Sequence, residues 1–337
     1  MQDSNRQWVF AERPDGEPEM SSFELRERDP PEPRHGELLV QVRYLSVDPY
    51  MRGRMEDAES YAEPWDVGDV MEGAIVGEVV ESKNDAYDAG DLVTGNGTWA
   101  DYSLLDADSV SPVDPSIAAL PTYLGALGMP GRTAYFGLLE VGEPKPGDTV
   151  VVSGAAGAVG SVVGQIAKLN GCHVVGFAGT EAKVEWLTDD LGFDAGINYE
   201  REDDYRGALD DAAPGGVDVY FDNVGGPITD AVFTKLNVDA RVAVCGQIAH
   251  YNDEDYPTGP RKLPRLIAPR AKVQGLLVSD FATRFGQASE RLSEWVASGD
   301  LVHRETVVDG LGNAPDAFLG LFSGDNIGKQ VVKVSER

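Results

Sequence analysis

The sequence predicts an α/β protein that combines a β-rich domain with a second domain built on a parallel sheet. Short apolar runs, broken at close intervals by Gly and Pro, fill the first ~125 residues. Beyond residue 146, apolar strand patterns alternate with helical patterns, which is typical of βαβ units. The chain has 337 residues, a length that favours two domains over one.

In the first part, residues 37–47 and 74–80 alternate between apolar and polar side chains and are predicted to be half-buried strands. The second part carries the predicted parallel sheet. Its predicted strands are residues 149–153, 172–178, 195–199, 217–221, 241–245 and 272–278, and its predicted helices are 159–169, 183–191, 227–236 and 285–297. The tail, residues 326–334, ends in an alternating apolar run that is predicted to return to the first domain.

The charge balance is strongly acidic, with 57 acidic against 28 basic residues and a net charge of −29. The acidic residues are dispersed along the chain, so a solvated acidic surface is favoured over a metal site or a site for a basic partner. Such a surface predicts a halophilic source organism. Nucleic acid is excluded as a partner, because its phosphates would be repelled.

Compartment and cysteine usage are also constrained by the sequence. No run of about 18 apolar residues is present, so no membrane span is expected. Residues 1–13 are polar and lack a signal-peptide pattern, which favours a cytoplasmic protein. Cys172 and Cys245 lie in apolar runs and are predicted to be small buried side chains. Two cysteines make neither a disulfide framework nor a four-cysteine zinc site.

A glycine-rich turn follows the predicted strand at 149–153. The segment VVVSGAAGAVG, residues 150–160, is similar to the dinucleotide fingerprint G-x-G-x-x-G, with Ala155 in the first position, then Gly157 and Gly160. Gly157 would let the backbone approach a pyrophosphate, and Gly160 would let the helix lie close to the sheet. A purely structural turn and an S-adenosylmethionine loop are the alternatives. Strand, turn, helix and second strand follow in the required order within about 30 residues, which favours the dinucleotide.

The end of the next predicted strand bears on the type of dinucleotide. NAD-binding proteins commonly carry an acidic residue there, to hold the ribose diol. This chain has Phe177-Ala178-Gly179-Thr180 instead, and Lys183 follows. An ammonium group at this point would pair with a 2′-phosphate, so the sequence favours NADPH. Glu181 is close enough to weaken that effect, and a merely solvated lysine is the alternative.

Several segments together carry a resemblance to a known family. GAAGAVGSVVGQIAK (154–168) and MPGRTAYFGLLE (129–140) resemble the zinc-independent medium-chain dehydrogenases/reductases, in the branch of the prostaglandin/leukotriene and alkenal double-bond reductases. SVDPYMRGR (46–54), FDNVGG (221–226), DFATRF (280–285) and NIGKQVVKV (326–334) match in the same order. The chain departs from the pattern at His250, at Ser279 and in its acidic loops.

The resemblance implies a GroES-like catalytic domain at 1–125, completed by 303–337, and a Rossmann NADPH-binding domain at 126–302. It implies a homodimer and the reduction, with NADPH, of the carbon–carbon double bond of α,β-unsaturated ketones or aldehydes. The implied cofactor-binding residues are Thr133, Gly157, Ala158, Val159, Gly160, Gly179, Lys183, Tyr199, Asn223, Cys245, Gly246, Gln247, Ile248, Tyr251, Leu276, Leu277, Val278 and Asn326. Lys183 and Tyr199 would hold the 2′-phosphate end, and Asn326 would close over the nicotinamide half.

No metal is expected. Zinc-dependent relatives need a cysteine and histidine cluster that includes a Gly-His-Glu segment, and the matching stretch here is Met71-Glu72-Gly73-Ala74. No cysteine precedes Cys172, and His35 is alone in the first domain, where one histidine cannot make a three-ligand site.

Without a metal, hydride addition to the β-carbon leaves negative charge on the carbonyl oxygen, and a hydrogen-bond donor is needed there. Tyr251 is the predicted donor, and Tyr50 and Arg52 are second candidates. A quinone reductase on the same fold and a non-catalytic NADPH-binding protein remain open as alternatives.

Overall fold

A computed structural model describes residues 4–253, 255 and 257–335. Its strands are β1 (Asn5–Phe10), β2 (Phe23–Arg28), β3 (Glu37–Ser46), β4 (Glu72–Ser82), β5 (Leu92–Thr98), β6 (Tyr102–Asp106), β7 (Ser111–Pro112), β8 (Thr149–Val152), β9 (His173–Ala178), β10 (Ala195–Asn198), β11 (Val217–Asp222), β12 (Leu236–Val244), β13 (Lys272–Gly275), β14 (Glu305–Asp309) and β15 (Lys329–Lys333). Its α-helices are α1 (Met51–Arg54), α2 (Met129–Phe136), α3 (Gly160–Leu169), α4 (Glu181–Glu185), α5 (Tyr205–Ala212), α6 (Gly226–Val232), α7 (Phe285–Ser298) and α8 (Ala314–Ser323).

The chain forms two compact units. The first contains the described parts of residues 1–124, 252–254 and 305–337, and the second those of residues 125–251 and 255–304. The α/β fold class, with a parallel-sheet domain and a separate β-rich domain, is as the sequence predicts. None of the helices formed by the described residues is both long and apolar enough to cross a membrane.

The first unit is rich in β-strands, most of which pair antiparallel. Its main sheet has the order β14-β15-β3-β4-β5-β7, with β6 paired to β3, and a second small sheet pairs β1 with β2. The tail strand β15 lies antiparallel to β3, so the end of the chain completes this sheet as the apolar tail pattern indicates. Fully buried side chains such as Trp65, Trp99 and Phe318 fill the interior.

A buried ion pair anchors the tail strand. The Lys329 ammonium group donates to Asp48 Oδ1 at 2.9 Å and to the carbonyl oxygens of Val47 and Gln330. Burial lowers the pKa of Lys329, and the Asp48 carboxylate opposes that effect. Lys329 and Asp48 are 3% and 6% exposed, so each charge depends on the other for compensation.

The second unit contains a six-stranded sheet in the order β10-β9-β8-β11-β12-β13, in which every recorded pairing is parallel. The central strands are apolar on both faces, as in residues 149–152 (TVVV), because helices cover a parallel sheet on both sides. The predicted helix at 227–236 is too long, because α6 ends at Val232 and Leu236 already begins β12. Likewise, Val278 lies in a 3₁₀ helix after β13 rather than in that strand.

Candidate functional site

Most of the predicted cofactor residues lie along one edge of the sheet in the second unit. In a parallel sheet all carboxyl ends lie at the same edge, which is where ligands bind in open α/β folds. The loops that follow β8, β9, β10, β11, β12 and β13 carry, in turn, the glycine turn, Gly179 with Lys183, Tyr199, Asn223, the segment 245–251 and the segment 276–278. Most of the predicted cofactor residues are therefore carried by six segments that follow strands of one sheet.

The glycine turn leaves β8 and enters α3 at Gly160. The left-handed backbone that the bend requires lies at Gly154, with φ +58°, one residue before Ala155. A Cβ on Gly160 would lie 2.4 Å from the Gly154 carbonyl oxygen, so only glycine fits where the helix meets the turn. Gly157, Ala158 and Val159 are partly exposed, and the first amides of a helix attract anions. This arrangement fits the pyrophosphate of a dinucleotide.

A second group of residues gathers after β9 and β10. The Tyr199 hydroxyl lies so close to Gly179 that a Cβ there would be 2.6 Å from it. The Thr180 side chain accepts from the Lys183 amide and caps α4, which fixes Lys183 in the first turn of that helix. Glu181 pairs with Arg201 at 2.9 Å, so its charge is engaged by a guanidinium group. Lysine, arginine and phenol groups here suit a phosphate monoester.

Asp222 is the residue that ties the loops of this edge together. It ends β11, is 1% exposed and carries no ion pair to a basic side chain among its recorded contacts. Its Oδ1 accepts hydrogen bonds from Ser153 Oγ, Tyr220 OH, Val224 N and Gly225 N, and its Oδ2 from Thr229 Oγ1 and Gln247 Nε2, all at 2.7–3.0 Å. Six neutral donors therefore satisfy a buried carboxylate.

This network orients two predicted cofactor residues. The Asn223 amide nitrogen of the backbone donates to Ser153 Oγ at 2.9 Å, and Asn223 Nδ2 donates to the Ser153 carbonyl at 2.7 Å. Gln247 Nε2 donates to Asp222, and its side chain lies against Gly225, where a Cβ would be 2.2 Å from Gln247 Oε1. Gly225 has φ +78°, which also favours glycine.

The segment after β12 places Tyr251. The backbone amides of Cys245 and Gly246 both donate to the Asp222 carbonyl, and Ile248 opens the short 3₁₀ helix Ile248–His250. The Gln247 amide then donates to the Tyr251 hydroxyl oxygen at 3.4 Å. Burial raises the pKa of Tyr251, so the phenol keeps its proton at neutral pH.

The remaining predicted residues of the second unit are Thr133, Leu276, Leu277 and Val278. Leu276 donates its amide to the Val244 carbonyl at 2.9 Å and packs on Gly137, where a Cβ would lie 2.3 Å from Leu276 Cδ2. Leu277 is the N-cap of the 3₁₀ helix that Val278 begins. Thr133 lies in α2 and its hydroxyl donates to the Met129 carbonyl.

Tyr50 and Asn326 lie in the first unit. Tyr50 precedes α1, and burial, followed by the nearby Asp48 carboxylate, raises the pKa of its phenol. Asn326 Nδ2 donates to the Gly328 carbonyl at 2.8 Å. Arg52 is also buried there, where it donates to Asn252 Oδ1 and to the Gly16 carbonyl and lies 3.1 Å from Glu56. These contacts are typical of a structural arginine that links separate loops of the chain.

The residues do not fit a zinc site. No group of three or more His, Cys, Asp or Glu side chains within the described part of the chain could hold a metal ion. Both cysteines are free. Cys172 is buried, whereas Cys245 is only partly buried by exposed area, contrary to the prediction that both are buried. Burial nevertheless raises the pKa of the Cys245 thiol to about 12, so it is not a thiolate ligand.

Sequence reasoning missed Asp222, Ser153 and Arg201. Asp222 stands inside the quoted motif FDNVGG, and an aspartate at the end of an apolar strand, before two glycines, was the available signal. The signal for Ser153 was weaker, because it consists only of a hydroxyl residue between a run of valines and a glycine-rich turn. Arg201 pairs with Glu181, which lies 20 positions earlier, and no local sequence pattern predicts that contact.

This chain is similar to known proteins along nearly its whole length. Residues 6–113 match the family model described as N-terminal domain of oxidoreductase, and residues 158–294 match the one described as zinc-binding dehydrogenase. NADPH-dependent curcumin reductase of Escherichia coli (strain K12) is 44% identical over 98% of this chain and 97% of its own. NADP⁺-dependent 2-alkenal reductase of Nicotiana tabacum is 42% identical over 98% of each.

The fold is also similar to that of a solved structure. The crystal structure of CurA from Vibrio vulnificus in complex with NADPH superposes with a TM-score of 0.93 at 44% identity. The match covers 98% of this chain and 100% of that one. The likeness therefore extends over both units, each taken by itself, and over the loops that carry the predicted site.

Proposed function

The chain belongs to the zinc-independent branch of the medium-chain dehydrogenase/reductase family, and from that premise we propose that it reduces the carbon–carbon double bond of α,β-unsaturated ketones and aldehydes. It is an NADP-dependent oxidoreductase and its cofactor is NADPH. The observation that carries the proposal is that one edge of the sheet presents a turn suited to a pyrophosphate, a group of side chains suited to a 2′-phosphate, and a protonated phenol.

Cofactor roles are proposed residue by residue. The turn Gly157–Gly160 holds the pyrophosphate through backbone amides, and Lys183, Tyr199 and Gly179 hold the 2′-phosphate. Asn223 lies beside the adenosine ribose. The nicotinamide half is bordered by Thr133, Cys245, Gly246, Gln247, Ile248, Leu276, Leu277 and Val278, and the role of Asn326 stays a prediction of the sequence.

Tyr251 is the proposed catalytic residue. When bound, NADPH supplies a hydride to the β-carbon of the substrate. Charge then grows on the substrate's carbonyl oxygen, and a donor that is already oriented stabilises it. The Tyr251 oxygen accepts from the Gln247 amide, so its own hydrogen is available to donate to that oxygen. Tyr50 is the second candidate for the same role.

A quinone substrate is not favoured, because two relatives of 44% and 42% identity are named for the reduction of curcumin and of 2-alkenals. A non-catalytic NADPH-binding protein would lack any use for a phenol held in this way. The homodimer, the cytoplasmic location and the halophilic source stay predictions of the sequence.

The test is a substrate panel of enones, enals and quinones in which NADPH consumption is followed and products are identified. Saturated ketones or aldehydes, with quinones left unreacted, support the proposal. Tyr251→Phe should lower kcat by about 10²-fold, the scale for loss of one oxyanion donor, with unchanged NADPH affinity. Tyr123→Phe is the matched control, since that hydroxyl donates to the Asp114 carbonyl in the first unit. NADPH binding without turnover of any acceptor would refute the proposal.

A further inference from the structure

The second unit contains a cavity that the proposed function does not use. Its volume is about 210 Å³, and it is lined by Glu143, Lys145, Asp239, Arg241, Arg270 and Lys272. Lys145 shortly precedes β8, and Lys272 is the first residue of β13. Because the strands are parallel, this cavity lies toward their amino ends, on the side of the sheet away from the loops that carry the predicted cofactor residues.

The charge of the lining is opposite to that of the chain. Four of its six residues are basic, although the whole sequence has only 28 basic against 57 acidic residues. Arg241 is fixed by Asp148 at 2.7 Å and by the Gly142 and Glu143 carbonyls. Within the described residues, the ammonium groups of Lys145 and Lys272 have no recorded acidic partner, so two exposed cations face a concave surface.

The backbone around the cavity is also unusual. Glu143, Asp239 and Arg270 have φ of +44°, +62° and +54°, and they are the three non-glycine residues with positive φ among those the structure describes. All three line this one cavity. Such conformations are unfavourable and tend to cluster where a ligand or a switch needs them. The Asp239 carboxylate lies 3.8 Å from the Arg270 guanidinium group.

We propose that this cavity binds a protonated oxyanion, namely free hydrogen phosphate. Lys145, Lys272 and Arg270 supply the positive charge that attracts the anion. The Glu143 and Asp239 carboxylates would repel a fully deprotonated oxyanion, but either of them can accept the hydrogen bond that the P–O–H group of hydrogen phosphate donates. The site therefore selects phosphate over sulfate, which has no hydrogen to donate at neutral pH.

Calorimetric titration of the full chain with inorganic phosphate tests this proposal. The ionic strength is held constant with chloride. NADPH is kept at saturation so that inorganic phosphate does not bind at the predicted site for the 2′-phosphate of the cofactor. We expect one phosphate per chain, and weaker or absent binding both of sulfate and of glycerol phosphate, which loses its P–O–H hydrogen above a pKa of about 6. Combining Lys145→Ala with Lys272→Ala should weaken phosphate binding at least about tenfold.

The control is Lys83→Ala, which removes an exposed lysine paired with Glu81 in the first unit and should leave the affinity unchanged. Because Lys145 and Lys272 are exposed, folding of the double variant is not at risk, and its circular dichroism checks this. The proposal is overturned if no saturable binding occurs or if the double variant binds phosphate as tightly as the unaltered chain. Equal affinity for sulfate would overturn the role of the two carboxylates.

Discussion

At the scale of single residues, the Tyr251 hydroxyl has two properties that a donor to a developing oxyanion needs. Its oxygen accepts from the Gln247 amide at 3.4 Å, which fixes its direction, and burial raises the pKa of its phenol. An ordinary tyrosine titrates near pH 10, and a raised pKa moves that titration to more alkaline pH.

The pH dependence of turnover follows from this. Because the proposed active form is the protonated phenol, kcat should stay level through neutral pH and fall only above about pH 10. The measurement is kcat for an enone from pH 6 to pH 11, within the stability range of the protein. Tyr251→Phe should abolish the alkaline fall that belongs to this group. A fall centred near pH 7 would show that another group controls the rate.

We propose that Lys183 carries the preference between the two nicotinamide cofactors. Lys183→Ala should weaken NADPH binding by about 1.5–3 kcal/mol, the scale for a hydrogen bond to a charged group, and leave NADH binding nearly unchanged. Fluorescence titration with each cofactor measures both values. Lys168→Ala, which removes a partly exposed lysine paired with Asp194 in the same unit, is the control. Equal weakening of NADPH and NADH would contradict the assignment to the 2′-phosphate.

At the scale of elements, the loops after β8, β11 and β12 share one carboxylate. Asp222→Asn keeps the shape of the side chain but places an amide, which can accept at only one oxygen, opposite six donors. We expect a loss of about 3 kcal/mol in the free energy of unfolding, together with weaker NADPH binding, because Ser153 and Gln247 lose their orientation. Denaturant unfolding and cofactor titration measure the two effects.

The matched control lies in the same strand. Asp218 is at the amino end of β11 and accepts from the Thr149 amide and from Asn237 Nδ2. Asp218→Asn should therefore lower stability without changing NADPH affinity. If both variants weakened NADPH binding equally, Asp222 would have no special role at the cofactor edge.

The tail strand offers a second test at this scale. Lys329→Met leaves the buried Asp48 carboxylate without its cation and should cost about 3–5 kcal/mol of unfolding free energy. Combining Lys329→Met with Asp48→Asn should recover a large part of the loss, because no buried charge then remains. Chemical denaturation of the four proteins in this cycle measures the coupling. Purely additive losses would show that the two residues act independently.

What could be predicted from the sequence was local. The strand at 149–153, the turn at 154–160 and the helix at 159–169 are each announced by a short apolar period or by glycines, and the structure confirms their type. The end of α6 was missed because no glycine or proline stops the pattern between Val232 and Leu236. Lys329 was missed because the fold alone brings Asp48 to it. The link that Asp222 makes to the other loops was missed because Ser153 and Gln247 lie 69 and 25 positions away in the sequence.

At the scale of the whole molecule, the acidic surface opposes the compact state. With a net charge of −29, self-repulsion is strongest at low ionic strength. Salt shortens the screening length from about 10 Å at 0.1 M to about 3 Å at 1 M, so the melting temperature should rise with KCl at neutral pH. At a pH closer to the isoelectric point of about 4.3 the gain should shrink. A neutral-pH melting temperature that KCl leaves unchanged or lowers would contradict this.

We propose that a hydride moves from NADPH to the β-carbon of a conjugated carbonyl compound. The most direct measurement uses NADPH deuterated at its transferable C4 position and an enone in ordinary water, with the product examined by NMR. We expect a saturated ketone with deuterium on the β-carbon and hydrogen from solvent on the α-carbon. An allylic alcohol with deuterium on the former carbonyl carbon, or unlabelled starting enone, would contradict it.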